Sequence, residues 1–319
     1  MKASLRHQHA RRLRALGLVI GGFFIAACSP PHQKLNLAGN NWLGYQPFFV
    51  AQERLTGSDE FSEFSIHPLP ATSNVIRLME EGQLDGGFLT VDEALTYQQG
   101  AVNPLCVAMV VDVSMGGDAL VMKHAWREST KPLTIAHEAS AVGGYLLQRA
   151  KQQGVFSGYD VSYVTATLNR HLTLFESDGV DGVVTFHPVL SQLKKRNAEV
   201  VFDSADIAGE IVDVLVVKRS VWQQHQPHIE RKLVSLWKRA VTHFQPLSEE
   251  VADIVSANTG LSTAEIEDAL TGIKLVGATN EFEFNLQQLV EKIGQYLQDV
   301  GRIQQKQSLG YCSSGEAVQ

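Results

Sequence analysis

Across residues 35–218, short apolar runs alternate with segments whose apolar residues recur at helical spacing. That alternation predicts an α/β fold with largely parallel sheets. Leu35–Gly39, Phe64–Leu69, Gly86–Leu89 and Leu105–Val111 read as strands. Between them lie helices over Pro47–Leu55, from Thr72 or Ser73 to Glu81, and after Thr90. Proline suits a first helical turn, and Ser and Thr suit caps. Leu105–Val111 is continuously apolar, the mark of a strand covered on both faces. After Gly116-Gly117 a second cycle begins, with strands at Ala119–Met122, Leu133–Ala136, Asp160–Val164, Gly182–Val184, Val200–Phe202 and Ile211–Val217. Its helices start at Ser140, Asn169 and Pro188. Beyond Val217 the pattern predicts helices only, at Ser220–Phe244, Ser248–Asn258, Thr263–Thr271 and Asn285–Gly301. The Gly- and Ser-containing end, 304–319, reads as a disordered tail.

The two cycles share a phrase. Residues 78–90 read LMEEGQLDGGFLT and residues 174–186 read LFESDGVDGVVTF. Each carries acids at a helix end, then Gly, an apolar residue, Asp-Gly and a buried strand. Gly82 and Gly179 would end their helices in the left-handed conformation, and Asp85 and Asp181 would start the next strands. The repeat predicts two lobes of one design. Their boundaries fall at 35–113 plus 214–303 for the first and 114–213 for the second, with crossings near 112–119 and 204–217.

The leader changes where such a fold would work. Lys2, Arg6, Arg11, Arg12 and Arg14 precede an uncharged apolar run from Ala15 to Ala27. That run is shorter than the roughly 20 residues a bilayer-spanning helix needs, so it reads as a secretory signal over 1–27. Ile25-Ala26-Ala27-Cys28 resembles the lipobox of bacterial lipoproteins. The resemblance implies acylation at Cys28, a tether over 28–34 and anchorage to a membrane facing the periplasm; Ser29 after the cysteine favours the outer membrane. The leader holds five of the 27 Lys and Arg and none of the 34 Asp and Glu, so the body is more acidic than the −7 of the whole chain. An acidic body argues against wrapping nucleic acid and against lying on anionic lipid. Cys106 and Cys312 are far apart in sequence; the expectation is two unpaired thiols, although an exported chain could join them.

Six segments resemble the substrate-binding proteins of ABC importers for nitrate, alkanesulfonates, taurine and thiamine pyrimidine precursors. They are NNWLGYQPFFVAQE (40–53), ATSNVIRLMEEGQLDGGFLTVDEAL (71–95), VVDVSMGGDALVMK (110–123), HEASAVGGYLL (137–147), GVDGVVTFHPVLSQL (179–193) and GEIVDVLVVK (209–218). The resemblance implies a two-lobed periplasmic-binding-protein-like fold of type II: two mainly parallel sheets, two crossing strands and a helical C-terminal region. Such lobes close like a hinge on a small polar solute. A permease would receive that solute. An alternative is a sensor of the same fold that docks on a membrane signalling receptor.

In open parallel sheets, the loops after the strands converge and helix N-termini there present free N–H groups. The candidate ligand-binding residues are therefore Asn41, Trp42, Tyr45, Ser73 and Thr90 from the first cycle. Ser140, Ala141, Thr185 and His187 come from the second, with Asp112 and Asp213 on the crossing strands. Trp42 and Tyr45 suit a flat or alkyl portion of a ligand; Ser73, Thr90 and Ser140 suit an oxyanion or carbonyl. Each has a plainer role as cap, core residue or turn histidine, and Arg77 and Arg170 fall inside helices. If Asp213 faces the cleft, an amine or amidine fits better than a sulfonate.

Enzyme chemistry finds no footing. Ser140 lacks the G-x-S-x-G elbow, and no HExxH, CxxC or phosphate-cradling glycine loop occurs. His225 and His228 share a helical face that reads as solvated. The sequence implies no catalytic residue, metal or cofactor.

Overall fold

The computed structural model describes residues 34–55, 59–177, 179–225, 228–277 and 285–312. Lys34–Gln319 group as one unit, and Cys28 with the rest of the leader lies outside the described residues. The first cycle folds as β1 (Leu35–Gly39), α1 (Gln46–Arg54), β2 (Phe64–Pro68), α2 (Thr72–Glu80), β3 (Gly86–Thr90), α3 (Val91–Gln98) and β4 (Leu105–Ser114). The second runs β5 (Ala119–Met122), β6 (Leu133–His137), α4 (Ala141–Gln152), β7 (Val161–Thr165), α5 (Leu168–Glu176), β8 (Gly182–Thr185), α6 (Val189–Lys194) and β9 (Glu199–Asp203). The chain then returns through β10 (Val212–Lys218) and ends in α7 (Arg219–His225), α8 (His228–Val241), α9 (Glu249–Thr259), α10 (Thr263–Thr271), β11 (Ile273–Leu275) and α11 (Leu286–Asp299).

Two sheets result, ordered β11-β4-β10-β3-β1-β2 and β7-β6-β8-β5-β9. In each, the strand that has just crossed from the other sheet is inserted antiparallel: β10 between β3 and β4, and β5 between β8 and β9. The sheets are therefore mixed, although β1–β2, β1–β3, β6–β7 and β6–β8 are parallel. Every residue of β10 is buried. Leu215 and Val217 enter one core while Val212, Val214 and Val216 enter the other, so its apolar run reflects cover on both faces.

The repeated phrase is a mechanical part. Asp85 Oδ2 accepts the Asn36 N–H at 2.8 Å, and Asp181 Oδ2 accepts the Thr134 N–H at 2.7 Å. Each carboxylate thus pins the second residue of the neighbouring parallel strand. Their own carbonyls accept the N–H of Lys218 and Lys123, at the ends of the two inserted strands. The glycines that follow allow the close approach: a Cβ on Gly86 would lie 2.1 Å from the Val216 carbonyl oxygen, and one on Gly182 2.8 Å from that of Val121.

Several expectations need correction. A short strand, β11, follows α10 where only helices were expected; it covers the β4 edge through Ile273–Leu275. The expected helix over Ser220–Phe244 is observed as α7 and α8, with residues 226 and 227 outside the described residues. Gly82 is left-handed at φ 76°, whereas α5 ends through extended Ser177 and Gly179 keeps an ordinary φ. Neither Thr72 nor Ser73 caps α2, because the cap position is Ala71.

The tail and the thiols also differ from expectation. Residues 304–312 return to the first sheet: the Val107 N–H donates to Gly310 O and the Cys312 N–H to Val107 O, both at 2.9 Å. Ile303 and Leu309 are buried, and Cys106 and Cys312 form a disulfide. The tail shields β4 beyond the end of β11, covering an edge that would otherwise present unpaired backbone. Residues 313–319 lie outside the described residues. Cys312→Ser should lower unfolding free energy by about 2–4 kcal/mol. The urea midpoint checks this: reductant should reproduce the loss in the parent and leave the variant unchanged.

Candidate functional site

The two chain crossings, after β4 and after β9, run between the sheets and are tied together at Ser114 and Ser204, and polar residues gather there. Thr90 at the end of β3 stands opposite Asp213 of β10, which stands opposite Asp112 of β4. Directly opposed antiparallel residues share a face, so the three form one row. The loop after β1 descends onto that row. Tyr45 OH donates to Asp213 Oδ1, and Trp42 Nε1–H points at both Asp112 oxygens, at 3.2 and 3.1 Å. A Cβ on Gly44 would lie 2.0 Å from Asp112 Oδ2, which makes glycine necessary for this descent. Tyr45 stacks on Phe88 at 4.7 Å, and the Trp42 ring meets Phe186 of the second half edge-on at 5.4 Å.

The start of α3 adds two carboxyl groups. The Thr90 N–H donates to Glu93 Oε2 at 3.0 Å, in a capping box in which the Thr90 side chain faces the Glu93 N–H. Thr90 Oγ1, both Asp92 oxygens and Glu93 Oε1 are buried without a hydrogen bond of ordinary geometry. Ser140, the cap position of α4 in the second half, has a hydroxyl in the same condition and lies close enough to Glu93 to ease its ionisation. Glu138 reaches across in the other direction. Ala71 gives α2 no side-chain cap, and Glu138 Oε1 accepts the Ser73 N–H at 3.3 Å. On the crossings, the Ser114 and Ser204 hydroxyls lie 2.7 Å apart and the Gly116 N–H donates to Ser204 Oγ at 2.6 Å. The Asp118 N–H donates to Ser114 Oγ.

Asp92, Glu93, Asp112, Asp118, Glu138 and Asp213 are all buried, and among the described residues no Lys or Arg forms an ion pair with them. Burial is the main reason their carboxyls are pushed up, Asp92 to about 6, Asp112 and Asp118 to about 7 and Glu93 to about 8. Burial and then Asp112 raise Asp213 well above the usual carboxylate range, and burial raises Glu138. Arg302 exerts only a minor pull on Asp92. No group of three or more His, Cys, Asp or Glu among the described residues is arranged to hold a metal ion.

Of the expected site residues, the seam brings together Trp42, Tyr45, Ser73, Thr90, Asp112, Ser140 and Asp213. Asn41 is half-buried beside Trp42. Ala141 lines a separate groove of about 410 Å³ between α4 and α11, with Tyr163, Tyr296 and Arg302. Thr185 and His187 are engaged within the second half, Thr185 with His171 at 3.2 Å and His187 with Ser191 at 2.6 Å. Asp92, Glu93, Asp118, Glu138 and Phe186 were missed. The acidic pair directly after a buried strand was a usable signal for the first two; the other three face the seam only through the chain crossing. The side chains of His225 and His228 lie outside the described residues.

No protein-family model and no curated protein matches this sequence. Solved structures do match. The ligand-binding component of an ABC-type import system from Staphylococcus aureus, solved with zinc bound, aligns with TM-score 0.69 at 11% identity, over 84% of this chain and 92% of that one. The alkanesulfonate-binding protein SsuA from Xanthomonas axonopodis pv. citri, bound to MOPS, aligns with TM-score 0.67 at 13% identity, over 88% and 96%. The desulfurization enzyme DSZB aligns with TM-score 0.60 at 14% identity, over 86% and 94%. The protein therefore has the two-lobed periplasmic-binding-protein fold, of type II.

The carboxyls set a pH dependence. Their folded pKa values lie above the unfolded ones, so the stability they supply is full below about pH 4 and lost as pH rises through about 6 to 8. Buried His171 and His187, lowered from 6.5 to about 4, act oppositely and only below 6.5. From pH 6.5 to about 8.5 the Tm of the ligand-free protein should fall, and Glu93→Gln should flatten that slope in a thermal melt.

Proposed function

We propose that this protein is the lipid-anchored, extracytoplasmic solute-binding component of an ABC importer. One observation carries the reading: buried, unsatisfied polar groups from both sheets converge at the seam where the two chain crossings meet. Buried polar atoms are nearly always paired, so Thr90, Asp92, Glu93 and Ser140 supply unused hydrogen-bonding capacity that a small solute would take up. Proteins of the same fold are named as import components, which supports the reading. The leader pattern ending at Cys28 supports export and anchorage. DSZB shows that the fold also admits catalysis. At this seam, however, no serine or cysteine among the described residues is paired with a histidine, as nucleophilic chemistry requires; the buried His187–Ser191 pair lies within the second half.

The two lobes, 35–113 plus 214–303 and 114–213, would move about the segments tied by Ser114 and Ser204. Closure brings Glu138 onto the N–H of Ser73 and Phe186 onto Trp42, so the solute selects a closed population. A solute held with micromolar affinity needs roughly −8 kcal/mol, within reach of a few hydrogen bonds to pre-shaped groups. Deleting the gene should abolish uptake of the cognate solute while a plasmid copy restores it. Cys28→Ala should move the protein from the membrane to the soluble fraction. Glu138→Gln should enlarge the radius of gyration of the ligand-free protein in small-angle scattering, because the neutral amide is a weaker partner for the α2 N-terminus; an unchanged radius counts against the closing motion.

A further inference from the structure

Resting on that reading, the geometry points to a small organic cation, bearing amine, guanidinium or amidinium N–H groups, as the solute of this seam. Three observations carry it. The acceptors with capacity to spare are carboxylate oxygens: both Asp92 oxygens and Glu93 Oε1, each buried and without a hydrogen bond of ordinary geometry. The Thr90 and Ser140 hydroxyls, also buried and without a hydrogen bond of ordinary geometry, come from opposite halves, so spare capacity lies on both sides of the seam. Finally, on the first half the places where an anion would sit are taken. Helix N-termini are the usual anion seats, yet Glu138 occupies that of α2, and Asp92 and Glu93 fill the first turn of α3.

An incoming sulfonate or nitrate would meet Asp112, Asp118 and Asp213 behind those groups, with no paired arginine or lysine to receive it. A metal ion lacks a ligand set among the described residues. An organic cation meets neither obstacle: its N–H groups donate to oxygens that lack a donor at ordinary geometry, and its charge offsets carboxylates that form no ion pair among the described residues. Buried charges persist when paired and hydrogen-bonded. Trp42 and Tyr45, fixed on Asp112 and Asp213, hold the rear of the row so that the α3 carboxylates remain for the solute.

The test is calorimetry and small-angle scattering on the mature protein with putrescine and agmatine, against sodium ethanesulfonate and sodium nitrate. The expected result is binding and compaction with at least one cation and with neither anion. The Asp92→Asn, Glu93→Gln pair should weaken the cation by about 30-fold or more. Ser140→Ala, which removes one hydroxyl from the opposite half, should weaken it about 5-fold and serves if the double variant does not fold. Binding and compaction with an anion while both cations stay silent would overturn the charge assignment and leave solute binding intact. Silence of all four probes, in heat and in scattering, would overturn both. A cation whose affinity ignores Asp92, Glu93 and Ser140 binds elsewhere, and that too overturns the assignment.

Discussion

Burying carboxyl groups without counterions is the constraint around which this molecule is arranged. Asp112 and Asp213 sit side by side on neighbouring strands, with Asp118 on the first crossing and Asp92 and Glu93 at the start of α3. Such groups tolerate burial only if protonated, hydrogen-bonded or matched by an incoming charge. The protein uses the second device where it can. Trp42 covers Asp112, Tyr45 covers Asp213, and the Ser73 backbone answers Glu138. What stays unanswered lies at the first turn of α3, facing Ser140.

The frame that presents these groups is built twice from one small device. An Asp-Gly pair ends a helix–strand turn, clamps the second residue of the adjacent parallel strand and lets a reversed strand approach its glycine. Asp85-Gly86 does this for β10, and Asp181-Gly182 for β5. Because the reversed strand in each sheet has just crossed from the other, the device fixes both crossings relative to both sheets. The ends of β3, β4 and β10 and the start of α4 consequently face one seam.

The C-terminal region closes the frame. Glu210, on the second crossing, accepts from Tyr145 OH at 2.7 Å and Arg149 Nε at 2.8 Å in α4, and pairs with Lys292 of α11 at 3.1 Å. The tail then binds back to β4 through the Cys106–Cys312 bridge. The final helix thus meets the second half and a crossing at once, so any motion of the sheets must accommodate it.

Periodicity along the chain determined most elements, because apolar spacing is a local property that burial imposes on strands and helices alike. The repeated phrase made the doubled design legible, and Trp42, Tyr45, Asp112 and Asp213 could be singled out because loops after strands and crossing strands have known places in such folds. Tertiary structure alone decided the rest. Nothing local shows that Glu138 caps a helix lacking its own cap, that Phe186 meets Trp42, or that Cys312 returns over 206 residues to Cys106. Thr185 and His187 hydrogen-bond within the second half, to His171 and Ser191. Contacts between residues distant in sequence follow from where the chain crosses, and that geometry is set by the packed sheets, not by any stretch short enough to read.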